Sequence, residues 1–422
     1  MKAMNRKKIL FVSARLPYPA LEGHQIRALG VLKELSKFSD VHLLSILREG
    51  EVIDEASPLH NYCSSVEGVP LKTGFLSNIG IGLHALVNNE PLVVRKYTSN
   101  TLRRAFEKKI TNEIFDIVHL DLLPLAGLLD LIPENISTVL NEHNIESDLI
   151  EQKLGSVDSF VEKFIYKREF LKLREFERQA CLSVSSVLAC SYDDQSTIKK
   201  MGADNVHCIP NGVDTSILLP DYSSININRL VFIGGMGWYP NKLGIEWFIS
   251  EVLPILVKSN PEIQLDLIGN PNPFVTIPDY LKQNVNKLGF VDDFKPCVHQ
   301  AAIMIVPLHV GSGTRLKVVE GAALGKCIVS TYKGAQGVDL VSGQDVIYAD
   351  EAEDFANRIL ELQANKEKIL SLGMHARQVA ESTYDWKSIG ERLKGIYGSL
   401  PDKFSVSSEN EVTVQNHKRT CV

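Results

Sequence analysis

Residues 303–332 read IMIVPLHVGSGTRLKVVEGAALGKCIVSTY, and the pattern of this stretch decides the fold. The apolar run at 303–308 is typical of a buried strand, and a glycine turn at 311–313 follows it. Thr314 is a favourable helix-start residue, after which apolar side chains recur at helical spacing as far as Gly325. A second apolar run comes next. The stretch therefore predicts a strand, a turn, a helix and a strand, which is the βαβ unit of a parallel sheet.

The predicted helix start has the chemistry of an anion site. Backbone N–H groups at Gly313 and Thr314 would lie at the positive end of the helix dipole. Arg315 and Lys317 add cations where a purely structural helix favours acidic residues. Glu320, one turn on, could reach the hydroxyls of a ribose. A solvated basic face beside a glycine loop is the alternative, but the coincidence of these residues favours a bound diphosphate.

Composition limits the class of protein. At 422 residues the chain should form two or three domains, and its net charge of −6 gives no general attraction to nucleic acid. Seven scattered cysteines without a C-x-x-C pair predict neither a disulfide framework nor a zinc site, which fits a reducing cytoplasm. No apolar stretch approaches membrane-spanning length. Because no D-x-D pair is present, we expect no metal to be required.

The sequence at 311–331, GSGTRLKVVEGAALGKCIVST, resembles the donor-binding motif of glycosyltransferase family 4. That family consists of retaining enzymes with the GT-B fold, in which two Rossmann-like α/β domains face each other across a cleft. Many members carry two glutamates in this motif. Glu320 matches the second, whereas Ser312 stands at the first. The chain instead resembles a subgroup with a Gly-x-Gly-Thr-Arg-x-Lys motif.

The resemblance covers most of the chain and implies its domain organisation. An N-terminal, acceptor-side domain is expected at 1–208 and a donor domain at 209–383. A helix at 384–400 should cross back to the first domain. The tail at 401–422 is polar and is expected to be disordered.

The same resemblance assigns further donor contacts to the second domain. Gly234 and Gly235 end an apolar run and begin the pattern GxxWxPN, which includes Asn241. In the subgroup this pattern replaces the Arg/Lys pair that holds phosphate in other members, so the two cations of the 311–331 motif should carry the phosphate charge. Gly289 and Phe290 should meet the nucleobase through backbone groups.

Four candidates lie in the first domain. Gly23 should face the donor phosphates from the first strand–helix loop, which precedes a helix expected at about 26–38. Arg27 should lie near the start of that helix, on the acceptor side unless it is simply solvated. Asp121 and His143 follow apolar runs, at strand ends where α/β folds place reactive groups. Asp121 stands where many family members have a sugar-binding histidine, and His119 lies deeper on the same strand face. Whether Asp121 or His143 contacts the sugar stays open.

Two charged segments have structural interpretations. Residues 158–182 form a long helix with an apolar stripe, and their near-neutral charge predicts core packing rather than a membrane helix. Residues 91–112 are strongly basic and could touch an anionic acceptor or a membrane surface, although a solvated helix face is favoured.

The resemblance implies a hexosyltransferase that uses a UDP- or GDP-linked sugar and no cofactor. It would act in the cytoplasm or at the inner face of the membrane, on a glycan or lipid-linked acceptor in surface polysaccharide biosynthesis. Two rivals remain. One is a nucleotide-sugar epimerase on the same scaffold, and the other is a non-catalytic nucleotide-binding assembly protein, with Ser312 and Asp121 as signs of decay.

Overall fold

A computed structural model describes residues 6–20, 22–71, 90–155, 157, 159–270, 272, 275–311 and 315–401. The chain divides into two compact units. The first contains the residues up to Ile209 together with those from Gly390 onward, and the second is Pro210–Ile389.

The first unit is a parallel α/β domain. Its strands are β1 (Lys8–Ser13), β2 (Asp40–Leu47), β3 (Ser65–Pro70), β4 (Ile117–Asp121), β5 (Ser137–Asn141), β6 (Ser186–Ala189) and β7 (Val206–Cys208). They form one sheet in the order β3-β2-β1-β4-β5-β6-β7, and every neighbouring pair is parallel. Its α-helices are α1 (Gly23–Phe38), α2 (Leu92–Tyr97), α3 (Asn100–Asn112), α4 (Glu146–Gly155), α5 (Phe160–Ser183) and α6 (Tyr192–Lys200).

The second unit repeats this plan around a six-stranded sheet. Its strands are β8 (Asn226–Ile233), β9 (Gln264–Ile268), β10 (Val285–Gly289), β11 (Ala301–Val306), β12 (Cys327–Ser330) and β13 (Ile347–Tyr348). The order β10-β9-β8-β11-β12-β13 is parallel throughout. Its α-helices are α7 (Tyr239–Trp247), α8 (Leu253–Ser259), α9 (Lys295–Gln300), α10 (Leu316–Ala323), α11 (Ala352–Gln363) and α12 (Lys366–Val379), and α13 (Trp386–Ser399) continues into the first unit.

The strand order predicts where each unit binds ligands. In both sheets the order reverses at one point, between β1 and β4 in the first unit and between β8 and β11 in the second. Parallel α/β sheets bind ligands beyond the carboxyl ends of the strands at such a reversal. The predicted α/β fold with two Rossmann-like domains is therefore confirmed, and both reversals lie at strands that carry candidate residues.

Two predicted boundaries differ from the structure. Helix α1 begins at Gly23 rather than near residue 26, so Gly23 is the first helical residue and not part of the preceding loop. Strand β11 ends at Val306 rather than at 308, because Pro307 has no N–H group to continue the ladder. Helix α10 ends, as predicted, just before Gly325, which adopts the left-handed conformation (φ +66°).

The last helix packs onto the first sheet, as the resemblance implied. The Tyr397 hydroxyl lies 2.5 Å from Nδ1 of His119 on β4, and both side chains are buried. The Lys7 ammonium donates to the carbonyl oxygen of Leu400 at 2.9 Å. The end of α13 is therefore an integral part of the first unit. Residues 402–422, predicted to be disordered, lie outside the described part of the chain.

Helix α5 differs from its predicted packing. Its second half buries Leu173 and Ala180 in the core of the first unit. Its first half exposes large apolar side chains, among them Phe160 and Phe164, which are 85% and 65% exposed. The core-packing prediction is therefore correct for the second half of the helix and wrong for the first.

Some of the cations on the predicted basic face at 91–112 form ion pairs within the first unit. Arg103 pairs with Asp130 at 2.5 Å, and Lys109 is buried and pairs with Glu113 at 2.8 Å. These two cations therefore support the fold of the first unit rather than an external contact.

The close packing of α12 on the turn after α10 gives a prediction for stability. A Cβ atom at Gly373 would collide with the backbone carbonyl of Gly325, whereas one at Gly395 in α13 would meet no atom within 4 Å. Gly373→Ala should destabilise the second unit by about 1–3 kcal/mol through overpacking. Gly395→Ala should stabilise α13 by about 0.5–1 kcal/mol. Urea denaturation followed by circular dichroism measures both, and equal effects would contradict this packing.

Candidate active site

Lys317 is the centre of the polar cluster in the second unit. Its ammonium donates to Oδ1 of Asn241 at 2.6 Å, and Nδ2 of Asn241 donates to the carbonyl oxygen of Gly235 at 2.9 Å. The same ammonium lies 4.3 Å from the ring centroid of Phe232 and 5.9 Å from that of Trp238. The start of α10 is thereby tied to the loop that follows β8. The structure brings together three predicted donor residues, Lys317, Asn241 and Gly235.

Gly234 is a position where only glycine fits. Its φ of +152° lies in the region that other residues avoid. A Cβ atom there would lie 2.5 Å from Nδ2 of Asn241 and 2.7 Å from the Lys317 ammonium. The absence of a side chain at Gly234 therefore allows the contact between Lys317 and Asn241.

Arg315 immediately precedes α10 and lies beside the same aromatic ring. Its guanidinium carbon is 5.4 Å from the ring centroid of Trp238, and the side chain is buried. A Cβ atom at Gly311 would come within 2.9 Å of that guanidinium. Trp238 itself is 44% exposed and contacts both cations, so it is part of this site rather than of the core. Ser312, Gly313 and Thr314 lie outside the described residues.

Burial shifts the pKa of each charged group in this cluster. It lowers the pKa of Lys317 to about 7, with a further lowering by Arg315 and a partial offset by Glu320. It lowers the pKa of Arg315 to about 10. Burial also raises the pKa of Glu320 to about 7, against the opposing effect of Lys317. In the free protein this site therefore disfavours the protonated, cationic forms of Lys317 and Arg315. A bound anion would favour those cationic forms again.

The predicted nucleobase contacts lie at the end of β10. Gly289 closes this strand with φ +72°, and its carbonyl oxygen accepts from the Gly269 N–H at 2.8 Å. The neighbouring Phe290 is 79% exposed. Both positions are at the carboxyl edge of the second sheet, the edge that also carries Gly234 and Lys317.

A second polar cluster lies at the strand-order reversal of the first unit. Ser13, Asp121 and Asn141 are the last residues of β1, β4 and β5, and they stand in register across the sheet. Nδ2 of Asn141 donates to Oδ1 of Asp121 at 2.8 Å, and the Ser13 hydroxyl lies 3.3 Å from Oδ2 of Asp121. All three side chains are buried.

His143 joins this cluster from the loop after β5. Its Nε2 lies 2.9 Å from Oδ1 of Asp121, so the structure brings together the two candidates for the sugar contact. Burial alone would raise the pKa of the Asp121 carboxyl. The charge of His143, its hydrogen bond and the neighbouring His119 ring nevertheless hold that pKa well below its usual range. Asp121 is therefore an ionised carboxylate that orients His143.

Arg27 does not lie on an open acceptor surface, contrary to the prediction. It is 1% exposed, and its guanidinium donates to Oδ1 of Asn141 at 2.6 Å and to the carbonyl oxygen of Ile209 at 2.6 Å. Because α1 begins three residues earlier than expected, Arg27 lies one turn inside the helix and faces the sheet. Its role here is to join α1 to β5 and to the end of the first unit.

The loop that carries His143 is fixed at its far end by Glu177 of α5. One carboxylate oxygen accepts from the Glu146 backbone N–H at 2.7 Å, and the other accepts from the Ser147 hydroxyl at 2.5 Å. Glu177 thereby caps the start of α4. His143 is held between a strand end and a capped helix, which is a rigid mounting for a functional side chain.

Asn141 and Trp238 belong to these clusters although the sequence patterns above do not predict them there. Asn141 begins the segment NEHNIES, in which the predicted contact is His143. Its signal was a polar residue at the end of an apolar strand, beside two others of the same kind. Trp238 lies within GMGWYPN, and two cations near an aromatic residue in one motif are a usable signal.

Two family models match the chain. Residues 227–365 match the model described as glycosyl transferases group 1, and residues 75–217 match glycosyltransferase family 4. Together the matches span roughly two thirds of the chain. The protein is a glycosyltransferase of the family 4 type. Its reaction is therefore the transfer of a sugar from a nucleotide sugar.

Solved structures similar to this glycosyltransferase share its GT-B fold at low sequence identity. A sucrose-phosphate synthase from Thermosynechococcus elongatus is 16% identical, with 94% of this chain and 99% of that one covered and a TM-score of 0.69. Anabaena HepE in complex with UDP is 15% identical, with 93% and 100% covered and a TM-score of 0.64. In sequence, the glycosyltransferase is 25% identical to an uncharacterised 44.6 kDa protein in the cps region of Klebsiella pneumoniae, over 90% of this chain and 97% of that protein.

The described residues contain neither a candidate metal site nor a candidate membrane-spanning helix. They contain no group of three or more His, Cys, Asp or Glu side chains placed to hold a metal ion. Within the same ranges, none of the helices has the length and apolar character needed to span a membrane.

The buried carboxylate of Asp121 gives a prediction for stability. Asp121→Asn should destabilise the first unit by about 3 kcal/mol, because buried donors lose a charged acceptor. Asp130→Asn, at a residue whose side chain is 62% exposed, should cost less than about 1 kcal/mol. Urea denaturation measures both.

The sign of the pH dependence follows from the lowered pKa of Asp121. The ionised carboxylate of Asp121 adds to the free energy of unfolding at a pH above about 4, the pKa of an aspartate in the unfolded chain. This stabilisation is lost as the pH falls below that value. The difference in free energy of unfolding between the wild type and Asp121→Asn should therefore become smaller in acid. A gap independent of pH would contradict the assignment of an ionised Asp121.

Proposed function

We propose that the protein is a retaining glycosyltransferase that moves a hexose from a UDP- or GDP-linked donor to a glycan or lipid-linked acceptor in surface polysaccharide biosynthesis. The Gly-x-Gly-Thr-Arg-x-Lys motif supports its placement in the corresponding subgroup of family 4. The donor would bind the second unit, with its diphosphate at the start of α10.

The observation that carries this proposal is the ammonium of Lys317, which belongs to a partly buried side chain and is held away from water. A desolvated cation with a pKa of about 7 is costly to keep charged in the free protein. A nucleoside diphosphate beside it would supply the missing counter-charge. In the transfer step the leaving diphosphate gains negative charge, so Lys317 and Arg315 would stabilise the transition state more than the bound donor.

The polysaccharide pathway rests on the similar proteins. The Klebsiella relative is encoded in a cps region, HepE was solved with UDP and with UDP-glucose, and a further structural match is a lipopolysaccharide outer core galactosyltransferase. In the first unit, His143 held by Asp121 would contact the transferred sugar. We also propose that transfer needs no divalent cation or other cofactor, since two cations of the protein would neutralise the diphosphate.

Binding of UDP and GDP without metal tests the donor site. The proposal predicts that one of them binds to the wild type and that its affinity falls as pH rises above about 7.5, by up to tenfold per unit, because Lys317 must take up a proton to bind the anion. Glu320 ionises over the same range and weakens anion binding in the same direction. Isothermal titration calorimetry measures both the affinity and the proton uptake.

Variants separate this site from a general charge effect. Lys317→Met should weaken binding at least about tenfold and reduce the pH dependence, and the double variant Arg315→Ala with Lys317→Ala should abolish binding. Lys242→Met removes a partly exposed cation that pairs with Glu246 and should bind like the wild type. Unchanged affinity in the double variant would show that the donor phosphates lie elsewhere.

A further inference from the structure

The first half of α5 carries a second apolar face, and it stays exposed among the residues that the structure describes. Large side chains at five positions are each about half exposed or more: Phe160, Val161, Phe164, Ile165 and Leu171. At about 100° per residue, these positions fall within an arc of roughly 140°. The residues that α5 buries, such as Phe170 and Leu173, project from the opposite side. A helix that is apolar on two sides requires a partner for the second one.

This outer face continues into an apolar groove. The groove has a volume of about 830 Å³ and is lined by Phe164, Leu171 and Phe176 of α5 and by Pro91, which precedes α2. Lys167 and Arg168 lie along it, and so do Glu90 and Glu175. The exposed apolar surface is therefore broader than one stripe of the helix and is bordered by charged side chains of both signs.

The exposed first half of α5 itself carries a net positive charge. Residues 159–174 contain five cations and two carboxylates, in a chain whose net charge is −6. One of the two carboxylates, Glu169, is used within the fold, since it accepts from the Leu92 N–H at 2.9 Å and pairs with Lys172 at 3.1 Å. On the helix surface Lys163 and Lys167 border one edge of the apolar arc. Their long side chains can extend along a lipid interface and keep the ammonium among headgroups.

We propose that this face of α5 docks onto an anionic bilayer surface, with the helix lying in the plane of the interface. The apolar arc spans about 12 residues, or roughly 18 Å of helix, which is too short to cross a bilayer but suits burial among headgroups. Lysines at the edge match the negative charge of the lipids. A second copy of the chain fits less well, because a two-fold contact would set these cations against each other.

Bilayer docking goes beyond the proposed donor reaction and does not depend on it. If the acceptor is lipid-linked, as proposed above, docking would place the first unit where that acceptor resides. The exposed apolar surface would then bring the protein to its substrate. In a protein that never binds a membrane, such a surface would have no use.

Co-sedimentation with vesicles tests this proposal. The wild type should sediment with vesicles of phosphatidylglycerol and phosphatidylcholine in equal amounts, and far less with phosphatidylcholine alone. Phe160→Ser with Phe164→Ser should lower the partition coefficient at least about tenfold. The matched control is Val52→Ser with Ile114→Ser, which removes two residues of the same unit that are 76% and 73% exposed, and it should sediment like the wild type.

Two double variants at Lys163 and Lys167 test the contribution of charge. Lys163→Glu with Lys167→Glu should weaken sedimentation only with the anionic vesicles, whereas Lys163→Arg with Lys167→Arg should retain it. Failure of the wild type to sediment, or an equal loss in the Val52 and Ile114 control, would overturn the proposal. A concentration-dependent dimer that the Phe160 and Phe164 variant dissolves, measured by light scattering, would assign the face to a second copy instead. UDP and GDP affinity should be the same in all these variants, which keeps this test separate from that of the donor site.

Discussion

The ammonium group of Lys317, enclosed by an amide and two aromatic rings, constrains the surrounding residues of the second unit. A cation with so little access to water is stable only if protein groups contact it closely. Each of these contacts restricts which residue can stand at a neighbouring position. Asn241 must accept its hydrogen bond, and Gly234 must lack a side chain for the two to meet. The strand order supplies the position, because β8 and β11 are neighbours at the reversal and deliver both loops to one edge. The site therefore follows from the fold together with one desolvated charge.

The fold could be predicted from the sequence because its signals are local. Apolar strand runs, glycine turns and helical spacing recur along the chain, and parallel sheets follow from that alternation. The donor cluster was predicted for a related reason: cations at a helix start conflict with the dipole, and such a conflict is visible in the sequence. Gly234, Asn241 and Lys317 are widely separated in the chain, and the family resemblance was needed to group them.

Two of the errors in prediction concern which side of an element faces the core. Arg27 was expected near the start of α1, but the helix begins three residues earlier, so Arg27 lies one turn inside it. There its side chain is buried and hydrogen-bonded to Asn141. Helix α5 has apolar residues on two sides, and periodicity alone cannot say which side the sheet will cover. Asn141 was missed because its partners, Ser13 and Asp121, are joined to it only by the register of three strands. These are tertiary facts, which single-sequence patterns do not contain.

The crystal structure of the protein with the nucleoside diphosphate that it binds would test the donor site most directly. We expect phosphate oxygens within hydrogen-bond distance of the Lys317 ammonium and close to the Arg315 guanidinium. We also expect the base near Gly289 and Phe290, with no metal ion between the phosphates and the protein. A nucleotide bound elsewhere, with Lys317 still hydrogen-bonded only to Asn241, would contradict the account.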